Sequence, residues 1–156
     1  MTLRIDVQVG GTRSGLPAVS RFRHWARSAL VGRRHDAELS IRIVDAAESQ
    51  ALNRSFRGQD KPTNVLAFPA ELPPELGLPL LGDVVICREV VESEAAAQSK
   101  PAEAHWAHMV VHGTLHLLGY DHETPADAGT MERLEAEILA ELGWPDPYLE
   151  HDRGDD

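Results

Sequence analysis

Three histidines in the C-terminal half of the chain have the spacing of metal ligands. His112 and His116 are four residues apart, so on a helix both side chains project from one face. Gly119 follows three residues later, and a glycine there can take the left-handed conformation that ends a helix and turns the chain back toward it, carrying His122. We predict that His112, His116 and His122 bind one Zn²⁺ per chain and leave the fourth tetrahedral position open to water, as in catalytic zinc sites.

The spacing of the second and third histidines, H-x-x-G-x-x-H, matches that of the metzincin peptidases. Those enzymes carry a glutamate directly after the first histidine as the general base, whereas this chain has Gly113. The pattern therefore favours a metal-dependent hydrolase that lacks the usual peptidase base. His108, one turn before His112, is predicted to be a hydrogen-bonded neighbour of the site, because three imidazoles and a water already complete a zinc shell.

The elements that must position these histidines follow from the periodicity of apolar residues. Alternation predicts strands at residues 3 to 9 and 39 to 43, and short β-rich runs predict two more at 64 to 68 and 82 to 87. Helical spacing, caps and glycine stops predict helices at 17 to 31, 45 to 56, 88 to 98, 101 to 118 and 125 to 142. We expect an α+β fold in which about five helices pack on a mixed sheet of about four strands, with the metal site at the end of the long helix 101 to 118.

Length and composition limit the class of protein. The 156 residues fit a single domain, 1–156, with a polar tail from about residue 148. The N-terminus alternates apolar and polar residues instead of starting like a signal peptide, and no apolar run is long enough to span a membrane. With Cys87 as the single cysteine, these features predict a cytoplasmic protein without a membrane partner.

Positive charge is concentrated in the first part of the chain. Residues 1 to 61 hold 11 Lys and Arg against 6 Asp and Glu, whereas residues 62 to 156 hold 4 against 19, within a net charge of −10. The total argues against a protein that coats nucleic acid non-specifically. Five early arginines could face phosphates or could form an ordinary solvated helix face, and the sequence leaves both open: Arg21, Arg23, Arg27, Arg33 and Arg34.

Three separated blocks make the chain similar to a known family. They are residues 52–69 (LNRSFRGQDKPTNVLAFP), 81–87 (LGDVVIC) and 108–122 (HMVVHGTLHLLGYDH). In content and order they resemble the YbeY family, the bacterial endoribonucleases that act as ribosomal-RNA maturation factors. Asn64 and Ala67 stand where that family often has Asp and Ser, so no role is assigned to these two side chains.

The resemblance implies a zincin-like fold and cleavage of single-stranded RNA in 16S rRNA 3′-end maturation and ribosome quality control. It implies zinc on the three histidines, and the 16S rRNA precursor and the small ribosomal subunit or its proteins as partners. By matching position, Arg57 is the arginine that the family uses near its metal, and we assign Arg57 and His112 as catalytic. A guanidinium and a metal together would stabilise the negative charge that develops on phosphodiester oxygens.

Further assignments rest on charge and proximity in sequence. Arg54 and Lys61 could hold the RNA backbone, and Asp83 or Asp121 could orient a ligand histidine through its second ring nitrogen. The attacking group could be zinc-bound hydroxide, which would leave 3′-hydroxyl ends, or the RNA 2′-hydroxyl, which would leave a cyclic phosphate. Two other functions stay open: a non-catalytic ribosome-assembly factor with a structural zinc, and a zinc metallopeptidase. The sequence indicates no oligomeric state.

Overall fold

The fold is α+β, with four strands and five α-helices, as predicted. The structure, a computed structural model, describes residues 1–148, so the predicted polar tail lies outside the described residues except for Tyr148 itself. The elements are β1 (Thr2–Val9), α1 (Val19–Leu30), β2 (Asp36–Val44), α2 (Ala46–Arg57), β3 (Val65–Pro69), a 3₁₀ turn (Pro74–Leu76), β4 (Leu80–Cys87), α3 (Arg88–Ala97), α4 (Ala102–Leu117) and α5 (Pro125–Glu141). Every predicted helix and strand is present, within a few residues of its predicted bounds.

The sheet is mixed, in the order β1-β2-β4-β3. The first three of these strands are parallel to one another, and β3 runs antiparallel to β4 at the edge. Because side chains alternate along a strand, Leu39, Ile41 and Ile43 of β2 are buried on one face, whereas Ser40 and Arg42 point to the other. One face of the sheet therefore builds the main core, and the other is partly open.

Helices α1 and α4 cover the apolar face. The rings of Phe22, Trp25 and Trp106 meet edge to face there, with centroids 5.4 and 5.5 Å apart, an arrangement that aromatic quadrupoles favour. Most of α4 is buried on this face, including Val110, Val111 and Leu115, so the helix that carries the histidines is held by packing along most of its length.

The opposite face carries a smaller apolar cluster under α2. Val44, Leu66 and Val85 are buried there, and Leu52 and Phe68 pack against them. The predicted caps of α2 are confirmed, since the Asp45 side chain accepts a hydrogen bond from the Glu48 N–H at 2.8 Å and Gly58 ends the helix in the left-handed conformation at φ 70°. The helix shields only part of this face, and a groove remains beside it.

No helix within the described part of the chain combines the length and the apolar character that crossing a bilayer requires.

Candidate functional site

A groove of about 1130 Å³ joins the end of α4 to the edge of the sheet. It is lined by all five residues of β3, by polar groups of the neighbouring strands, by the last turn of α2, and by α4 and the turn that follows it. His112, His116, His122 and Arg57 all line this one groove. Residues far apart in sequence are thus brought together where the free edge of the sheet meets the end of the long helix.

The predicted turn after α4 is confirmed. Gly119 has φ 102°, which is strained for residues other than glycine, and the Tyr120 N–H donates to the Leu115 carbonyl at 3.1 Å. This bond from the third residue past the helix back to its last turn is the closing bond of a Schellman motif. It reverses the chain and brings His122 back beside α4.

The three rings surround a common space. The ring centroids of His112 and His116 lie 6.5 Å apart, those of His112 and His122 5.6 Å apart, and those of His116 and His122 6.0 Å apart. Nitrogens that share a zinc at about 2.0–2.1 Å in a tetrahedron would put ring centroids about 5 Å apart. The rings are therefore near each other but slightly splayed, and across residues 1–148 no three histidine, cysteine or acidic side chains already form a closed metal-binding arrangement.

The donor set nevertheless fits a borderline-soft divalent cation. Nδ1 of His112 contacts Glu135 at 3.3 Å and Nδ1 of His116 is buried, whereas within residues 1–148 no hydrogen bond occupies Nε2 of either ring, and both rings line the groove. Burial, followed by the charge of the neighbouring His112, lowers the pKa of His116, which favours the neutral form that a metal ligand requires. If zinc is the metal, His112, His116 and His122 are the residues that would hold it.

Glu135 of α5 is a residue of this site that the sequence patterns did not predict. Its side chain is 1% exposed, and its Oε1 lies 2.5 Å from His108 Nε2 while its Oε2 lies 3.3 Å from His112 Nδ1. Burial alone would raise the pKa of this carboxyl, but the hydrogen bonds and charges of His108 and His112 outweigh it and lower the pKa to about 2. Glu135 is therefore an ionised carboxylate that orients His112 from behind.

Tyr148 completes this buried cluster. Its hydroxyl donates to Glu135 Oε1 at 2.8 Å, and its ring meets that of His108 edge to face, with centroids 5.6 Å apart. Burial and the Glu135 charge both raise the pKa of Tyr148, so the hydroxyl stays protonated as a donor. The first residue of the predicted polar tail thus packs into the domain.

The sequence does carry a signal for Glu135. This residue interrupts the apolar face of α5 between Met131 and Ile138, which are 1% and 2% exposed. A carboxylate in such a stripe is seldom buried without a partner. The complementary signal is His108, one of the two histidines of α4 that the ligand spacing does not use.

The predicted positive residues divide into two groups. Arg57 lines the groove at the end of α2, whereas Arg54 and Lys61 lie nearby, exposed and outside the lining. None of these three cationic groups forms an ion pair with any residue of the described range, so each is available to an anion.

The two predicted orienting carboxylates both line the groove but differ in contact. Asp121 Oδ1 lies 3.7 Å from Nδ1 of His122 and accepts the His122 backbone N–H at 2.6 Å, so it borders a predicted ligand. Asp83 instead accepts a hydrogen bond from Ser40 on the adjacent strand. Among the described contacts, the carboxylate that supports His112 is Glu135 rather than either aspartate.

The early arginines do not contribute to the groove. Arg21 pairs with Glu103 at 3.2 Å, Arg23 donates to the Ile5 carbonyl at 3.1 Å, and Arg33 reaches the Ala29 carbonyl at 3.4 Å. Helix α1 packs on α4 and β1, and none of its residues lines the cavity. The solvated-face alternative describes these residues better than a phosphate-facing surface at the site.

Gly113 allows α4 to approach the sheet closely. A Cβ placed at this position would lie 2.6 Å from Val84 Cγ1 and 3.2 Å from Val65 Cγ2, closer than carbon atoms pack. A glutamate here, as in the metzincins, would have to move the side chains of Val84 and Val65. The absence of a peptidase base is thus built into the packing of helix on sheet.

Fold and site together define an α+β protein with a histidine-lined groove along the free edge of a mixed sheet. The family model described as Endoribonuclease YbeY matches residues 17–143, and the chain belongs to that family. The chain is also similar to TM1509 from Thermotoga maritima, known from a solution structure, at 27% identity and a TM-score of 0.59, over 92% of this chain and 97% of that one. Membership places the protein among endoribonucleases of rRNA maturation, which confirms the family resemblance of the three sequence blocks.

Proposed function

We propose that this protein is a zinc-dependent endoribonuclease that cuts single-stranded RNA during 16S rRNA 3′-end maturation and ribosome quality control. The observation that supports this most strongly is that three imidazoles line one groove together with the guanidinium of Arg57, which forms no ion pair within residues 1–148. In this proposal His112, His116 and His122 hold one zinc ion per chain, and the fold is zincin-like. The 16S rRNA precursor is the substrate, in the cytoplasm, and the small ribosomal subunit or its proteins are partners.

The residues of the chain have separate tasks in this mechanism. When bound, the zinc would supply a Lewis acid next to the scissile phosphodiester. Arg57 binds a non-bridging phosphate oxygen and neutralises the charge that grows on it, a task suited to the fork of guanidinium donors. Glu135 holds the His112 ring in one orientation by accepting from Nδ1. Arg54 and Lys61 bind the RNA backbone as it leaves the groove.

The peptidase alternative is opposed by Gly113. No side chain fits at that position without moving Val84, so this position of α4 does not supply the general base that would deprotonate water and pass the proton to the leaving amine. Asp121 and Asp83 line the groove, but neither occupies the helix position that the peptidase pattern requires. The groove suits phosphodiester cleavage better than peptide cleavage. The reaction at a phosphodiester requires positive charge next to the phosphate oxygens and has no leaving amine to protonate.

The test is cleavage of an unstructured RNA oligonucleotide by purified protein. We expect chelation to abolish cleavage, zinc to restore it, and His116→Ala to lose both cleavage and bound zinc. Arg57→Ala should keep its zinc and lose about 10²- to 10³-fold in kcat, as when one charge-stabilising donor is removed from an active site. Arg27→Ala is the matched control, because Arg27 is exposed on α1 outside the groove and should cleave as the wild type does.

Full activity in the chelated protein would refute zinc dependence. The assembly-factor alternative makes a different prediction: a folded His116→Ala protein would still associate with small subunits and still support rRNA maturation. End-group analysis of the fragments separates the two routes of attack, since hydroxide attack and 2′-hydroxyl attack leave different termini.

A further inference from the structure

Phe56 is an aromatic side chain that the proposed mechanism does not use. It precedes Arg57 on α2, is 66% exposed, and lines the same groove as the three histidines. Its ring leans on that of Phe68 from β3, with centroids 4.7 Å apart and ring planes inclined by 62°. A lone exposed apolar residue is common on protein surfaces. Phe56 differs because a second aromatic ring supports it and it forms part of the wall of a polar site.

The surroundings of Phe56 combine apolar surface with positive charge. Leu52, Leu66 and Val85 continue the apolar wall from Phe68 under α2, and all three line the groove. Arg57 is the next residue, and it forms no ion pair with the described residues. A nucleotide has the matching chemistry, since its base offers a flat apolar face and its phosphate a negative charge.

Within residues 1–148, the acidic side chains that line the groove are those of Glu71, Asp83, Asp121 and Glu123. Asp121 and Glu123 border the turn that carries His122, and Asp83 is engaged by Ser40. At the Phe56 end Arg57 lines the groove and Arg54 and Lys61 are exposed outside its lining, whereas Asp60 accepts a hydrogen bond from Gln50. This distribution suits a phosphate at the α2 end of the groove and favours RNA over an acidic peptide without bases.

We propose that Phe56, supported by Phe68, stacks on an unpaired base of the RNA strand in the groove. This inference rests on the proposed function and deepens it, because it assigns the residue that makes the site selective for single strands. A base within a duplex has both faces covered by its neighbours and cannot stack on a protein side chain, whereas a base in a single strand can turn out onto an aromatic ring. Phe56 is thus a substrate-positioning residue beside the phosphate that Arg57 contacts.

The test compares Phe56→Ala with wild type on an unstructured RNA of about 12 nucleotides, within the usual range of single-strand site sizes, and on a hairpin. We expect the KM of Phe56→Ala for the unstructured RNA to rise about 5- to 150-fold, the range for loss of one base–aromatic stack, with little change in kcat. The preference for the unstructured RNA over the hairpin should shrink by the same factor. Phe56→Trp should retain low KM, and the emission of its added indole should be quenched on RNA binding, measured against the three native tryptophans of the wild type.

Two controls separate stacking from a structural role. Leu76→Ala removes another exposed apolar side chain, 60% exposed and outside the groove, and should cleave as wild type does. A series of RNAs with one abasic nucleotide at each position in turn should contain one that raises the KM of the wild type and leaves that of Phe56→Ala unchanged. This loss of additivity assigns the stacked base to Phe56.

The outcomes distinguish this inference from the function beneath it. If the wild type cuts RNA and Phe56→Ala cuts it equally well, the stacking inference alone is overturned. The stacking inference is also overturned if Phe56→Ala raises KM by the same factor for every abasic RNA, because the side chain would then support the fold and would not contact one base. A wild type that neither binds nor cuts RNA overturns the proposed function and this inference together.

Discussion

The two halves of α4 carry the same residue type with different surroundings. His105 and His108, in the first half, are 3% and 8% exposed and each contacts a carboxylate, Glu94 at 2.8 Å and Glu135 at 2.5 Å. His112 and His116, in the second half, open onto the groove. Burial first, against an opposing effect of Glu94, lowers the pKa of His105, as burial does for His116.

The comparison shows that helical spacing alone does not make a histidine a ligand. His108 and His112 are separated by four residues, just as His112 and His116 are, yet His108 is directed into a buried pair with α5. The position of Glu135 divides the stripe. It contacts Nε2 of His108 and Nδ1 of His112, so one carboxylate links the structural half of the helix to the half that faces the groove.

Neutralising the two carboxylates should separate the two halves most clearly. In Glu135→Gln we expect zinc affinity and RNA cleavage to fall about 10- to 100-fold, because His112 loses the charged acceptor that orients it. In Glu94→Gln we expect cleavage at the wild-type rate and a loss of about 1 kcal/mol in the free energy of unfolding, because the hydrogen bonds of Glu94 with His105 and Asn64 are weakened. Zinc titration, cleavage assays and urea denaturation measure these effects.

Glu137→Gln serves as the control for charge, since Glu137 is exposed on the same helix as Glu135. If Glu94→Gln impaired cleavage as much as Glu135→Gln, the division of α4 into two halves would be wrong.

The close packing of α4 on the sheet fixes which side chains of each half of the helix face the groove. This packing can be tested at Gly113. Gly113→Ala should lower the free energy of unfolding by about 1–3 kcal/mol, because the new methyl group would overlap Val84 and overpack the core. Gly129→Ala is the matched substitution in α5, where a Cβ meets no atom within 4 Å, and should raise stability by about 0.5–1 kcal/mol through helix propensity. Equal stability changes of the two variants in urea denaturation would contradict this account of the packing.

The smallest expected effect comes from Tyr148→Phe, which removes one donor to Glu135 Oε1 and leaves the bond from His112 to Oε2. We expect the free energy of unfolding to fall by about 0.5–1.5 kcal/mol, with zinc affinity near that of the wild type. A large loss of zinc affinity would mean that Tyr148 supports the groove half of α4 as well as the buried half.

Much of this architecture can be predicted from local signals. The caps at Asp45 and Gly58, the turn at Gly119 and the alternation in β1 and β2 act over a few residues, so the chain itself reveals them. The three histidines are also local, since they lie on one helix and its closing turn. Helical spacing and the glycine turn are therefore sufficient to predict that these three side chains approach one another.

Contacts between distant segments cannot be predicted in the same way. Glu135 and His108 are 27 residues apart, and nothing in either segment alone specifies its partner. Proximity in sequence points to Asp83 and Asp121 as orienting carboxylates, although the one in contact with His112 lies on another helix. The early arginines are ambiguous in sequence for the same reason, because the side of the sheet that α1 covers is decided by packing.

The sequence by itself determined the helices and strands, the histidine spacing with its glycine turn, and the family, because each depends on patterns or motifs of residues that are close together in the chain. Only the tertiary structure decided which strand forms the free edge, which histidines face the groove, and that Arg57, Phe56 and the histidines share it. These depend on burying apolar faces of α1, α2 and α4 against one sheet. Such burial is a property of the whole chain, since the area removed from water is shared among segments that no local pattern links.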